Sequence, residues 1–293
     1  MPGNLFCFGL GLSARTWAQN LLTEGWSVAG TTRSAEKAER LAEQGFRPLI
    51  FSRDAQDPDL EDCLRSSSHL LISVAPDEAG DPVLDLYGEA IAARGAAWDW
   101  VGYLSTTGVY GDRGGDWVDE EADLQPTAPR SERRVAAERA WLKLWEEHQS
   151  PVHIFRLAGI YGPGRNALET IRRGKGKRIN KPGQVFSRIH VDDIAQALSA
   201  SLARPRPGRI YNVCDDCAAP PEAVIAHAAK LLGQAPPPLE DFEAADLSPM
   251  ARSFYRDNKR VSNRRLHDEL GVTLKYPDYQ AGLSALLSEG HKP

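Results

Sequence analysis

Three observations predict an α/β chain built on a doubly wound parallel sheet and followed by a smaller C-terminal region. Short, nearly continuous apolar runs alternate with amphipathic stretches from the N-terminus to about residue 159. Strands of that kind are buried on both faces, as in a parallel sheet covered by helices. A glycine motif, Gly9-Leu10-Gly11-Leu12-Ser13-Ala14, stands where the first apolar run passes into the first helical stretch. Beyond Gly159 the rhythm breaks into a glycine-rich basic loop and then into proline-interrupted helical sequence.

The elements follow in order from the period of the apolar residues. LFCF at 5–8 is a strand, followed by a helix to Glu24. WSVAG at 26–30 is a strand, and SAEKAERLAEQG the helix after it. FRPLIF at 46–51 leads into a helical stretch to about Ser66, and HLLISVA at 69–75 into a helix from Pro82 to Arg94. WDWVGYLS at 98–105, a helix around Ser131 to His148 and PVHIFRL at 151–157 continue the pattern. It returns with a helix after Asp193 and a strand from Arg209 to Val213. Gly25 and Gly45, each directly after a helical stretch, read as left-handed C′ residues. APPPL at 235–239 reads as a stiff surface connection. The expected organisation is a dinucleotide-binding domain from 1–162 plus 187–217, and a smaller region from 163–186 plus 218–293.

Composition narrows the function. The chain has 293 residues, 35 Lys and Arg against 40 Asp and Glu, and 42% hydrophobic residues. That is enough for a sizeable core, and it argues against disorder and against a bulk electrostatic grip on nucleic acid. No run approaches the roughly eighteen apolar residues that cross a bilayer. The mostly apolar Leu5 to Leu12 has no basic residue before it and is interrupted by Gly9 and Gly11, so it reads as a buried strand and not as a signal peptide. Cys7, Cys63, Cys214 and Cys217 are too few for a disulfide framework, which fits a reducing cytoplasm. Cys214 and Cys217 form a C-x-x-C without a second pair at zinc spacing, and no metal is expected there.

Position gives the glycine motif its meaning. Gly9 permits a tight turn, Gly11 lets backbone approach a pyrophosphate, and Ala14 lets the helix pack on the strand while the first amides, from Leu12 and Ser13 onward, face the anion. An NAD site ordinarily presents an acid at the end of the second strand. Here that position reads Thr32-Arg33-Ser34. A guanidinium flanked by two hydroxyls suits a 2′-phosphate, so NADP is the expected cofactor and NAD the alternative.

With YLSTTGVYGD at 103–112, RLAGIYGPGR at 156–165, RIHVDDIAQAL at 188–198 and IYNVCDD at 210–216, the chain resembles the extended short-chain dehydrogenases/reductases, the NAD-dependent epimerase/dehydratase superfamily, over nearly its whole length. The resemblance implies a Rossmann-like sheet with a small C-terminal substrate lid. It implies that Ser73, Val74, Ala75 and Pro76 lie beside the cofactor. Ser105 and Thr106 would stand near the nicotinamide, with Ala158, Gly159 and Ile160 on its other side. Thr106 matches the family's catalytic Ser or Thr.

The family's catalytic pair is a tyrosine with a lysine four residues later. Counting back from Glu138, and forward from Thr106, places Arg130 at the tyrosine position and Arg134 at the lysine position. Guanidinium, with a pKa above about 12, does not give up a proton near neutral pH. One turn apart on a helix, the two arginines can hold a phosphate or carboxylate.

Arg172, Arg173, Lys175, Lys177, Arg178 and Lys181 form a basic loop without an acid, which suits an anionic ligand, with Arg165 and Arg188 as companions. His190, Asp192 and Asp193 read as a structured turn, with one aspartate as a helix cap. Tyr110 and Tyr161 are the remaining phenols near family positions. The expected function is an oxidoreductase or epimerase-like protein acting on a small anionic or sugar-nucleotide substrate with a degenerate acid/base site. A nonenzymatic NADP(H)-responsive binding protein is the alternative. Neither nucleic acid nor membrane is expected as a partner, and a homo-oligomer is left open.

Overall fold

The computed structural model describes residues 2–290. β1 (Asn4–Phe8) leads into α1 (Leu12–Thr23), then β2 (Ser27–Thr32), α2 (Ala35–Glu43), β3 (Arg47–Ile50) and α3 (Leu60–Ser66). β4 (His69–Ile72), α4 (Pro82–Arg94), β5 (Trp100–Thr106), β6 (Trp117–Val118), α5 (Pro129–His148) and β7 (Val152–Leu157) follow. After them come β8 (Gly159–Tyr161), α6 (Ala167–Arg172), β9 (Arg178–Asn180), β10 (Arg188–His190), α7 (Val191–Ala203) and β11 (Ile210–Val213). The remainder is α8 (Pro221–Leu231), β12 (Leu239–Asp241), α9 (Pro249–Phe254), β13 (Arg260–Val261), α10 (Arg264–Leu270) and α11 (Tyr279–Glu289).

Seven strands form the central parallel sheet in the order β11-β7-β5-β4-β1-β2-β3. β1 pairs in parallel with β2 and β4, which places Cys7 opposite Gly30 on one side and Leu71 on the other. The winding reverses between β1 and β4, and sheets of this kind bind ligands at the carboxyl ends of the strands beside such a reversal.

Helices cover both faces. Alternate residues of β5 point to opposite sides: the ring of Tyr103 stacks on Trp141 of α5 at 5.8 Å, while Trp100 packs against Trp17 of α1 at 5.4 Å. The face beneath α4 and α5 carries the main apolar cluster, including Phe6, Phe8, Leu64, Ile72, Tyr87, Ile91, Tyr103 and Trp141. On the other face, α7 satisfies two buried indoles. Ser199 Oγ accepts from Trp17 Nε1 at 2.9 Å, and Ser201 Oγ from Trp100 Nε1 at 3.1 Å. An indole N–H buried without a partner is costly, so these two serines fasten α7 to the first half of the chain.

α3 is shorter than the helical stretch expected before Ser66. Residues 51–56 turn back on themselves, with an antiparallel bridge from Phe51 to Gln56 and a 2.7 Å bond from the Ser52 amide to Ala55 O. Gly25 and Gly45 have φ of +85° and +89°, as their places after α1 and α2 require. No helix among the described residues is long and apolar enough to cross a membrane.

The chain divides into two compact units. The first runs to Thr106 and adds Pro129–Arg156 and Ile194–Tyr211. The second comprises Thr107–Ala128, Leu157–Asp193 and the chain from Asn212 onward. Residues 107–128, which the sequence reading groups with the first domain, thus belong to the second unit. Their ties explain it: β6 pairs with β13, Tyr110 Oη donates to Asn212 Oδ1 at 2.7 Å, and Glu120 Oε1 accepts the Asn212 amide at 2.7 Å. The core of the second unit gathers Leu168, Ile171, Val224, Ala228, Leu283 and Leu286.

Candidate functional site

The glycine turn of the first unit has the geometry of an anion cradle. Gly9 sits at φ +90°, and its amide donates to Thr31 Oγ1 at 2.8 Å. A Cβ on Gly9 would lie 3.1 Å from Val74 Cγ2 and 3.3 Å from the Val74 amide nitrogen, so the turn is both left-handed and tightly apposed to the end of β4. Gly11 caps α1 without any side-chain hydrogen bond, and the first turn of α1 holds no acid. The amides of that turn are therefore open to an anion, and a Cβ on Gly11 would fill the space before them, 3.9 Å from Ser73 Oγ. The residues present fit a dinucleotide pyrophosphate.

At the end of β2, Thr32 is buried and Arg33 exposed. Ser34 is the N-cap of α2: its Oγ accepts the Lys37 amide at 3.2 Å, so the hydroxyl expected to face a ligand holds the helix start. Sequence reasoning missed two neighbours. Lys37 Nζ donates to Leu10 O, within the glycine turn, at 2.8 Å. Its pKa is lowered by burial and by the charges of Arg15, Arg40 and Arg33. Four cations thus converge beside the turn, of which Arg40 is ion-paired to Glu36 at 3.2 Å. Read singly, Arg15 and Lys37 look like ordinary helix-surface residues, and only the fold, which sets Lys37 of α2 on the turn that opens α1, brings them together.

Thr106 closes β5 and is half-buried; Arg130 lies exposed in the first turn of α5. Arg134 Nη1 donates to Tyr103 Oη at 2.9 Å and to Leu104 O at 3.0 Å, with the guanidinium 5.4 Å from the Tyr103 ring centroid. Ser105, expected near the nicotinamide, is buried, and its hydroxyl donates to Glu138 Oε1. Glu138 in turn accepts from Arg156, Nε to both carboxylate oxygens at 3.2 Å and Nη2 to Oε2 at 2.8 Å. All three side chains are buried, so Ser105, Glu138 and Arg156 form a closed polar knot behind the end of β5. The pairing joins residues on different elements, and no period in the sequence announces it.

In the second unit, Ala158 donates its amide to Val213 O at 3.1 Å, Gly159 to Ser187 O at 3.1 Å, and Ile160 lies opposite Ile189 in the β8–β10 pair. His190, not an aspartate, plays the capping part at the start of α7, since its Nδ1 accepts the Asp192 amide at 3.1 Å. Burial lowers the imidazole pKa to about 4, which keeps it neutral. Asp193 instead accepts the amides of Lys275 and Tyr276 at 2.7 and 3.1 Å, and Asp192 pairs with Lys275 Nζ at 3.0 Å. The two aspartates therefore tie α7 to the segment before α11.

A cavity of about 310 Å³ opens in the second unit among α6, α8 and α11. Tyr161, Tyr255, Tyr279, Thr170, Lys177 and Arg188 line it together with aliphatic side chains. Tyr161 has its pKa raised by burial and by Asp215, Asp193 and Asp278, which makes it a poor proton donor. Most of the basic loop is held in place. Arg172 pairs with Glu169 at 2.6 Å, Lys177 Nζ donates to Asp246 O at 2.5 Å, Arg178 to Pro237 O at 3.2 Å, and Lys181 to Tyr255 O.

The model of the NAD dependent epimerase/dehydratase family matches residues 88–214. YeeZ of Escherichia coli (strain K12) is 27% identical over 283 residues, covering 92% of this chain and 95% of its own length. A functionally unknown conserved protein from Silicibacter pomeroyi DSS has a solved structure with a TM-score of 0.91 and 52% identity, over 99% of this chain and 100% of its own. The dTDP-glucose 4,6-dehydratase from Bacillus anthracis str. Ames, solved in complex with NAD, shares the fold with a TM-score of 0.78 and 18% identity, over 99% of this chain and 97% of its own. Sheet order, glycine turn and these matches converge on the NAD dependent epimerase/dehydratase family, whose model matches residues 88–214 of this chain.

Proposed function

We propose that this chain is an NADP(H)-binding oxidoreductase or epimerase-like enzyme that acts on a small anionic or sugar-nucleotide substrate without a tyrosine as its acid. The observation that carries the reading is the meeting of Arg15, Arg33 and Lys37 beside the Gly9–Ala14 turn, where a 2′-phosphate needs cations and a free ribose hydroxyl needs a carboxylate. The cofactor supplies hydride transfer at its nicotinamide. The open amides of α1 hold the pyrophosphate, and Ser73 to Pro76 line the cofactor as the family pattern implies. Thr106 hydrogen-bonds a substrate oxygen, and Arg130 and Arg134 stabilise negative charge with the proton coming from water. The second unit holds the substrate.

A second reading, a nonenzymatic NADP(H)-responsive protein, is favoured by Arg134, whose Nη1 is held by Tyr103 and Leu104 O. Two measurements test these readings. Titration should give tighter binding of NADPH than NADH, and Arg33→Asp should lower NADPH affinity by roughly tenfold or more, the loss of one charge-assisted contact. Equal curves for the two cofactors on the unaltered protein would end the NADP assignment. NADPH oxidation over a carbonyl panel then separates enzyme from binding protein. Arg130→Tyr with Arg134→Lys, which rebuilds the family pair, is expected to create or raise slow carbonyl reduction. Strong activity of the unaltered protein that collapses in the double variant would show that the arginines serve a different working mechanism.

A further inference from the structure

The cavity of the second unit has an uneven chemistry. Its walls are aliphatic at Ala167, Val224, Ile225 and Leu283, and no carboxylate or carboxamide lines it. Arg188 is partly buried there. Its Nη1 is fixed by Phe186 O at 2.8 Å and Ala219 O at 3.1 Å, and the guanidinium makes no ion pair among the described residues. Holding a charge away from water without a counter-ion costs free energy, and an arriving anion recovers it. Lys177, exposed, adds a second positive charge to the same lining.

Asp215 is the acid nearest in electrostatic effect to Arg188, but no hydrogen bond or ion pair joins its carboxyl to that guanidinium. Its Oδ1 accepts the Cys217 amide at 3.3 Å, its Oδ2 has no partner, and burial pushes its pKa up to about 8, which favours the neutral carboxyl.

We propose that this cavity binds a compact organic anion, a single carboxylate or phosphate on an apolar or aromatic body, with Arg188 as the counter-ion. The inference deepens the reading of the second unit as the substrate-holding part and selects the small anion over the sugar nucleotide. A sugar nucleotide presents many hydroxyls and two phosphates, for which carboxylate and carboxamide acceptors and several cations are well suited, whereas here Thr170 and three phenols are the polar side chains besides the two cations. The volume points the same way. At about 30 Å³ per liquid water, the space is that of some ten waters, at the small end of ligand sites.

The test is binding to the full chain without cofactor, by calorimetry or ligand-observed NMR, using phenylacetate, phenyl phosphate, benzyl alcohol and UDP-glucose. Phenylacetate or phenyl phosphate should bind at least tenfold more tightly than benzyl alcohol and UDP-glucose, and the preferred head group identifies the anion. Arg188→Met should lower anion affinity at least tenfold and leave benzyl alcohol unchanged. Because it removes an unpaired charge, it should not lower Tm. Ile225→Trp, which fills the cavity and keeps Arg188, should abolish binding of both anions. Preference for UDP-glucose, absence of anion binding, or anion binding indifferent to Arg188→Met would each overturn the proposal. Since no NADPH is present, failure of the cofactor assignment and failure of this one are read separately.

Discussion

Arg156 in the first unit and Arg188 in the second are both drawn into the interior, and the chain answers them differently. Arg156 meets Glu138 with two of its nitrogens, and Ser105 adds a further donor to the same carboxylate. Arg188 is met by two carbonyl oxygens and no ion-paired acid. A buried charge beside a carboxylate is compensated within the fold, whereas one met only by carbonyl oxygens keeps its net charge. The comparison separates a guanidinium neutralised by a carboxylate from one that is not, a distinction that motif position alone does not draw.

The largest effect should come from breaking the paired charge. Glu138→Ala takes the carboxylate away from the buried Arg156 guanidinium, at a cost of about 3–5 kcal/mol, which for a chain of this size lowers Tm by on the order of 10 °C. Adding Arg156→Met should recover much of the loss. Thermal unfolding of both variants checks this, and a double variant no more stable than the single one would show that the knot acts by packing alone.

A pH-dependent effect is expected on the acid side of the first unit. His153 is buried, with Nδ1 against Val101 O at 3.2 Å and Nε2 accepting the Arg206 amide at 2.9 Å, and its pKa falls from 6.5 to about 4 because burial disfavours the charged ring. Between those values the unfolded chain holds a proton that the folded chain does not. Stability present above pH 6.5 is therefore lost as pH drops toward 4, by about 3 kcal/mol from this group. Chemical denaturation at a series of pH values should show a shallower acid slope for His153→Asn than for the unaltered protein.

Asp215 in the second unit should act with the opposite sign. Its folded pKa of about 8 lies above the ordinary 3.8, so the folded chain keeps a proton that the unfolded chain has lost, and stability declines as pH rises from about 4 to 8. Asp215→Asn should become more favourable relative to the unaltered protein across that range. A difference that stays constant with pH would exclude an unpaired carboxyl as the cause. The smallest effect is expected at Lys37, where Lys37→Met should lower NADPH affinity only roughly two- to fivefold, because Arg15 and Arg33 remain.

The regular elements were legible because burial imposes a period on them. Phe6 and Phe8 announce β1, and Gly25 and Gly45 mark where α1 and α2 stop. The cofactor turn was legible because strand, glycine and helix must follow one another directly. What lay hidden depends on residues distant in the chain. Arg15 and Lys37 meet only once α1 and α2 flank the sheet. Ser105, Glu138 and Arg156 come from β5, α5 and β7, and the cavity draws its lining from Tyr161 to Leu283. The grouping of residues 107–128 with the second unit is not legible in the sequence, because β6 is two residues long and its partner β13 lies more than a hundred residues later.

The two indoles on the far face of the sheet have a consequence for the order in which the molecule is made. Trp17 and Trp100 are synthesised early, yet the hydroxyls that satisfy them, Ser199 and Ser201, follow about a hundred residues or more later. A chain emerging from the ribosome therefore carries β1 to β7 with α1 but not α7 available to cover that face, and two indole donors without their serine partners. The first unit closes only when α7 has left the exit tunnel, after much of the second unit has already been translated.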